Sequence, residues 1–201
     1  MAPRDLSIET ASAERPLPGQ VESGDRCLVK RVGKGTLLAV VDGLGHGQEA
    51  ASAAHAAVGA IDRYSREPLV DLVNRCHTAL IGLRGVVLGL AYIDPQAASM
   101  TWLGVGNIGG VLLHADVKVR QSRVSLVPNA GFIGGEPPRA TVREVPLRVR
   151  DTVIMFSDGV KDGFTESLVL ADSPQEIADF IIARHTKGND DALALVARYG
   201  A

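Results

Sequence analysis

Short apolar runs set apart by glycine and proline dominate the chain, and three stretches switch to a helical period. Cys27 to Val32 and Thr36 to Val41 flank Gly33-Lys34-Gly35, which predicts two strands joined by a tight turn. From Gln48 to Ser65 the residues Ala50, Ala53, Ala54, Ala57, Val58 and Ile61 recur at three- and four-residue steps, predicting a helix whose apolar stripe is mostly small. Such a helix can approach its neighbours closely. A second helix starts at Pro68, puts Leu69, Leu72, Val73, Cys76 and Leu80 on one face, and ends near Gly82.

Strands are then expected at Val86 to Ile93, Met100 to Val105, Gly110 to His114, Arg123 to Val127, Thr141 to Leu147 and Thr152 to Phe156. A helix follows at Pro174 to His185, with Ile177, Ala178, Ile181 and Ile182 inward, and a last strand at Leu193 to Val196. Connections this short favour antiparallel, meander-type pairing. The expected class is α+β, an antiparallel β-sandwich flanked by α-helices. Residues 1–201 read as a single domain without repeat or linker, residues 1–20 being a loosely ordered N-terminal segment.

Composition narrows the function classes. Acidic and basic residues nearly cancel, 23 against 21, and aromatics make up only 4%, which argues against a nucleic-acid partner. Met1 to Pro18 lacks the apolar core of a signal peptide, and no run reaches the roughly 18–20 apolar residues of a membrane span. A cytoplasmic protein without a membrane contact is therefore expected. Cys27 and Cys76 lack the spacing of a zinc or redox pair and read as buried free thiols.

The chemistry-bearing pattern is a carboxylate at the end of an apolar strand followed by glycine. It occurs at Val40-Val41-Asp42-Gly43-Leu44-Gly45-His46-Gly47 and again at Met155-Phe156-Ser157-Asp158-Gly159, while Asn189-Asp190-Asp191 precedes the last apolar run. One Asp-Gly pair alone is an ordinary turn. Three stations at strand ends can instead converge on one sheet edge, as magnesium or manganese, which take oxygen ligands and retain waters, would require. The glycine lets the backbone turn and can present its own carbonyl.

These residues, with Ser23-Gly24-Asp25 and Met100-Thr101-Trp102-Leu103-Gly104-Val105-Gly106-Asn107, resemble the metal-dependent protein serine/threonine phosphatases of the PPM, or type 2C, family. Within it they are most similar to the SpoIIE-like branch and its stand-alone stressosome phosphatases. Order and spacing match together over nearly the whole chain. The resemblance implies a phosphatase using two divalent cations, Mn2+ or Mg2+, to hydrolyse phosphoserine or phosphothreonine with a metal-activated water. It assigns Asp42 to both ions, the Gly43 carbonyl to one, Asp158 and Asp190 to the other, and Asp25 to the shell through water. Gly159 and Asp191 support this set, the ligand being the first aspartate of its pair. The implied partners are phosphorylated signalling proteins, namely STAS-domain stressosome components.

The chain departs from the wider family where eukaryotic members carry a histidine after the metal-binding Asp-Gly and an arginine that grips phosphate. Leu44 stands at the first position, and no arginine fills the second. His46 is accordingly expected to cap or orient the loop at the helix start rather than act in catalysis, Arg26 to be solvated, with a phosphate contact as its alternative, and Asn107 to satisfy a tight turn, with an active-site contact as its alternative. His55 and His77 read as helix-surface or packing residues, the Gln48 to Gly82 helices as core packing, with a regulatory switch of metal-site assembly as the alternative that the resemblance implies, and Gly131 to Pro138 as a mobile loop. Two rivals remain, a GHKL-type ATP-binding kinase or ATPase and a catalytically silent partner-binding module. The glycines after Asp42 are displaced from the first pattern, and all three carboxylate stations are retained against the second. A dinucleotide-binding loop fails because the GxGxxG spacing is absent.

Overall fold

The computed structural model describes residues 7–115, 122–135 and 140–200. In chain order the strands and α-helices are β1 (Ile8–Arg15), β2 (Asp25–Val32), β3 (Gly35–Gly43), α1 (Gln48–Arg63), α2 (Leu69–Ala79), β4 (Val86–Asp94), β5 (Ser99–Val105), β6 (Gly109–Leu113), β7 (Arg123–Ser125), β8 (Arg143–Pro146), β9 (Thr152–Phe156), α3 (Pro174–Arg184) and β10 (Ala192–Tyr199). A 3-10 turn spans Phe164–Ser167.

The strands form two five-stranded sheets, ordered β2-β3-β4-β5-β8 and β1-β10-β9-β6-β7, with every pair antiparallel. Side-chain alternation assigns each face. Along β3, Leu37, Ala39 and Val41 pack against α1 and α2, whereas Leu38 and Val40 point into the space between the sheets. A strand covered on both sides must be apolar throughout, which is why Leu37 to Val41 shows no polar alternation. The inter-sheet core adds Trp102, Met155, Leu193 and Leu195. Burying one such leucine contributes about 2 kcal/mol.

The outer layers follow the small-residue stripe and the caps. Ala53, Ala54, Ala57 and Ile61 bring α1 onto the first sheet, as the sequence spacing predicts. Helix α3 begins with a capping box: Glu176 N donates to Ser173 Oγ while Ser173 N donates to Glu176 Oε2, with Pro174 in the first turn. Its Ile177, Ala178 and Ile181 cover Ala194 and Val196 on the other sheet. The result is helix, sheet, sheet, helix, the α+β sandwich expected.

Two expectations change. The segment 1–20 is not loose throughout, because Ile8–Arg15 is an edge strand paired along its length with β10, from Ile8 opposite Tyr199 to Arg15 opposite Ala192. Its small and charged residues, half exposed at an edge, carry little apolar signal. The second sheet is also no meander, since β1 and β10 come from opposite ends of the described chain. Of the expected Gly131 to Pro138 loop, Pro137 and Pro138 lie outside the described residues.

Candidate functional site

Antiparallel register places the first two carboxylates face to face: Asp25 at the start of β2 lies opposite Asp42 near the end of β3. The other sheet supplies the rest from neighbouring strand ends. Ser157, directly after β9, exchanges bonds with Leu193 of β10, its N–H donating to Leu193 O at 3.0 Å and its Oγ accepting from Leu193 N at 2.9 Å. This pairing sets Asp158 beside Asp190 and Asp191.

Two bonds join the sheets here. The buried Ser157 hydroxyl donates to Asp25 Oδ2 at 2.6 Å. Buried Asp191 accepts from Gly24 N at 2.8 Å and from Leu17 N at 2.7 Å, so its carboxylate ties the 17–24 segment to the start of β10. With both oxygens so engaged, Asp191 is a tether, while half-buried Asp190 accepts from Asp191 N at 2.9 Å through Oδ1 and adds its charge to the repulsion felt at Asp42 and Asp158. Asn107 does more than satisfy a turn, for its Nδ2 donates to Asp158 Oδ2 at 2.6 Å.

Two glycines are demanded by close backbone approach. A Cβ on Gly43 would lie 2.1 Å from the Ala50 carbonyl oxygen of α1, and one on Gly159 would lie 1.9 Å from Asp191 O. Neither distance is tolerable for a side-chain carbon. Gly43 thus admits the first turn of α1 beside Asp42, and Gly159 lets the Asp158 turn rest on Asp190-Asp191.

Burial and mutual repulsion govern the electrostatics. Burial, then the charges of Asp25, Asp158, Asp190 and Asp191, pushes the Asp42 carboxyl from 3.8 to about 9. Burial also raises Asp25 to about 7 against the opposing Ser157 hydrogen bond, with Asp191, Asp190 and Asp158 adding repulsion. Asp158 is raised by burial and Asp190, while Lys187 pulls it down. Among the described residues no three Asp, Glu, His or Cys side chains are drawn to metal-ligand spacing around one point. The donor set is nonetheless all oxygen and strongly anionic, so it fits hard divalent cations that keep some of their waters.

The remaining sequence candidates divide. His46 is exposed and is not the cap: the N-cap of α1 is Gly47, which has no side chain to accept a capping hydrogen bond, so the expected capping role is withdrawn. Arg26 is not merely solvated, since its Nη1 donates to Ser23 O and Asp25 O and its Nη2 pairs with Glu22 at 3.1 Å. It therefore braces the backbone that carries Asp25. His55 accepts from Arg26 Nε at 3.3 Å. Sequence reasoning gave Ser157 no role, and it passed over Arg84 and Lys187. Arg84 pairs with Glu49 at 2.5 Å and donates to Leu44 O at 3.3 Å, over the loop after Asp42. No local pattern marks these residues, because each acts on the site across long sequence separations.

Residues 33–200 match the family model for stage II sporulation protein E, SpoIIE. The chain belongs to the SpoIIE family. It resembles the phosphoserine phosphatase RsbX of Bacillus subtilis (strain 168), 24% identical over 185 residues that cover 92% of this chain and 91% of that protein. Solved structures share its fold. A chain from work on the bacterial stressosome, described as a modular system adapted to control secondary messenger signalling, superposes with a TM-score of 0.86 at 30% identity, covering 96% of this chain and 100% of that one. RsbX in complex with magnesium gives 0.83 at 21%, covering 96% and 95%. The same fold holds the catalytic domain of the serine/threonine phosphatase PstP with two manganese ions, TM-score 0.72 at 16%, covering 98% and 100%.

Proposed function

We propose that this protein is a Mn2+- or Mg2+-dependent phosphatase acting on phosphoserine or phosphothreonine of signalling proteins. The observation that carries the reading is the convergence of Asp25, Asp42, Asp158 and Asp190 from two sheets, with too little positive charge to balance them. Asp42, the Gly43 carbonyl, Asp158 and Asp190 would hold the cations, with Asp25 behind them. Bound there, two such ions supply an activated water and offset charge on the phosphoryl oxygens.

The chain's own residues prepare that chemistry. Ser157 and the Asp25–Asp42 register fix the carboxylates of one sheet against those of the other. Asn107 orients Asp158. Buried placement keeps the carboxylates poorly solvated, which strengthens their attraction for a cation. The likeness to RsbX and to the stressosome chain supports phosphorylated stressosome components with a STAS domain as the substrate, and a cytoplasmic setting goes with that role.

Purified protein should release p-nitrophenol from p-nitrophenyl phosphate with manganese or magnesium and stop when chelator is added. Asp42→Ala and Asp158→Ala should remove turnover with the fold retained. Wild-type rates in either variant, or turnover that persists with chelator, would refute the metal-site assignment. Phosphate counts by mass on a phosphorylated STAS-domain protein decide the substrate, an unchanged count with active enzyme sinking that choice.

A further inference from the structure

A site built from four carboxylates must still attract a dianionic phosphoryl group, and a cation on the protein is the ordinary means of doing so. Arg26 is consumed by the 22–25 backbone and Glu22, and Arg84 by Glu49 and Leu44. Lys187 is differently placed. Its backbone N–H donates to Gly159 O at 2.8 Å, and the same stretch is pinned by Lys161 N to His185 O at 2.6 Å and a bridge between Val160 and Thr186. The Lys187 backbone is thus fixed one residue past Asp158 in space, on the segment that leads into Asp190. Its side chain is exposed, and among the described residues its ammonium has no hydrogen-bonded partner. Its charge is felt at Asp158.

We propose that the Lys187 ammonium pairs with the phosphoryl group of the substrate, and with product phosphate, at the Asp158 side of the site. This rests on the phosphatase reading and adds a substrate-binding residue to it. The fixed backbone delivers a flexible, uncommitted cation to the rim, where it can meet the incoming phosphate without displacing a carboxylate partner.

Inorganic phosphate is the probe. Isothermal titration of magnesium-loaded protein should show phosphate binding weakened about tenfold in Lys187→Ala, the equivalent of about 1.4 kcal/mol, and largely restored in Lys187→Arg. In parallel, KM for p-nitrophenyl phosphate and the inhibition constant of phosphate should rise about tenfold with kcat within about twofold, a split that a structural role would not produce. Lys187→Ala with wild-type phosphate affinity and KM would overturn the assignment. Magnesium binding and wild-type turnover are read separately in the same experiment, so failure of the phosphatase reading shows in the unmodified protein, whereas failure of the Lys187 role shows only as the absence of a difference between variants.

Discussion

Ser157 and Asp25, 132 residues apart in the chain, share a buried hydrogen bond of 2.6 Å that crosses from one sheet to the other. Because the same hydroxyl also accepts from Leu193 N, Ser157→Ala strands two buried groups at once. A loss of about 1–3 kcal/mol of stability is expected, together with weaker metal binding, since the bond favours the ionised form of Asp25 against the burial that raises it. Denaturant melts and metal titration of the variant check this; unchanged values in both would deny the bond its role.

Gly159→Ala should be more damaging than its size suggests. The added carbon would fall 1.9 Å from Asp191 O, so the Asp158 turn and the Asp190-Asp191 segment must separate. Overpacking of this kind costs about 1–3 kcal/mol, and metal affinity and turnover should fall at least about tenfold, a ratio of about 1.4 kcal/mol. Gly188→Ala, with open space around it but a φ of +80°, should cost stability alone. Equal metal affinity in Gly159→Ala and wild type would contradict this account.

Stability without metal should fall as pH rises. Asp42 holds its proton to about 9 in the folded protein against an ordinary 3.8, so between these values the native state binds more protons than the unfolded one. Stability then decreases with pH, being greatest below the unfolded value and lost progressively up to the folded one, by at most about 1.4 kcal/mol per pH unit per proton. In chelator, the melting temperature should drop from about pH 5 to about pH 8, and Asp42→Asn should flatten the slope. Added magnesium should reverse it, because the cation replaces the proton. A melting temperature that climbs with pH in chelator would contradict the linkage.

Cys76 should resist alkylation in the native protein. Burial between α1 and α2 pushes its thiol up to about 12, and its Sγ donates to Ala57 O at 3.6 Å. Iodoacetamide at mildly alkaline pH should modify it only after denaturation, as read by peptide mass. Rapid native labelling would mean that α1 and α2 separate readily.

How much of this was readable beforehand differs by element. The β3 run, the alanine stripe of α1 and the Ile177, Ala178, Ile181 and Ile182 spacing of α3 carry local patterns, and each element formed where the residues indicated. The stations Asp42 and Asp158 are visible because glycine marks a turn at a strand end, and Asp190 because an acidic pair stands directly before the last apolar run. The partners that position them were not: Ser157 meets Asp25, Asn107 meets Asp158, and Gly24 meets Asp191 only after the two sheets are stacked. Strand β1 was missed for a related reason. Its Thr10, Ser12 and Glu14 gain their place from pairing with β10, not from apolar burial.

The pairing of β1 with β10, and the Asp191 bonds to Leu17 and Gly24 across separations of 174 and 167 residues, bear on when the protein becomes active. A ribosome delivers Asp25 and Asp42 early and Asp190 last, so the cluster cannot be complete until the final strand slots between β1 and β9. Closing so long a loop is slow. Metal uptake during refolding should therefore be a late event, lagging helix formation, and the nascent chain would carry its first carboxylates without yet being able to spend them on catalysis.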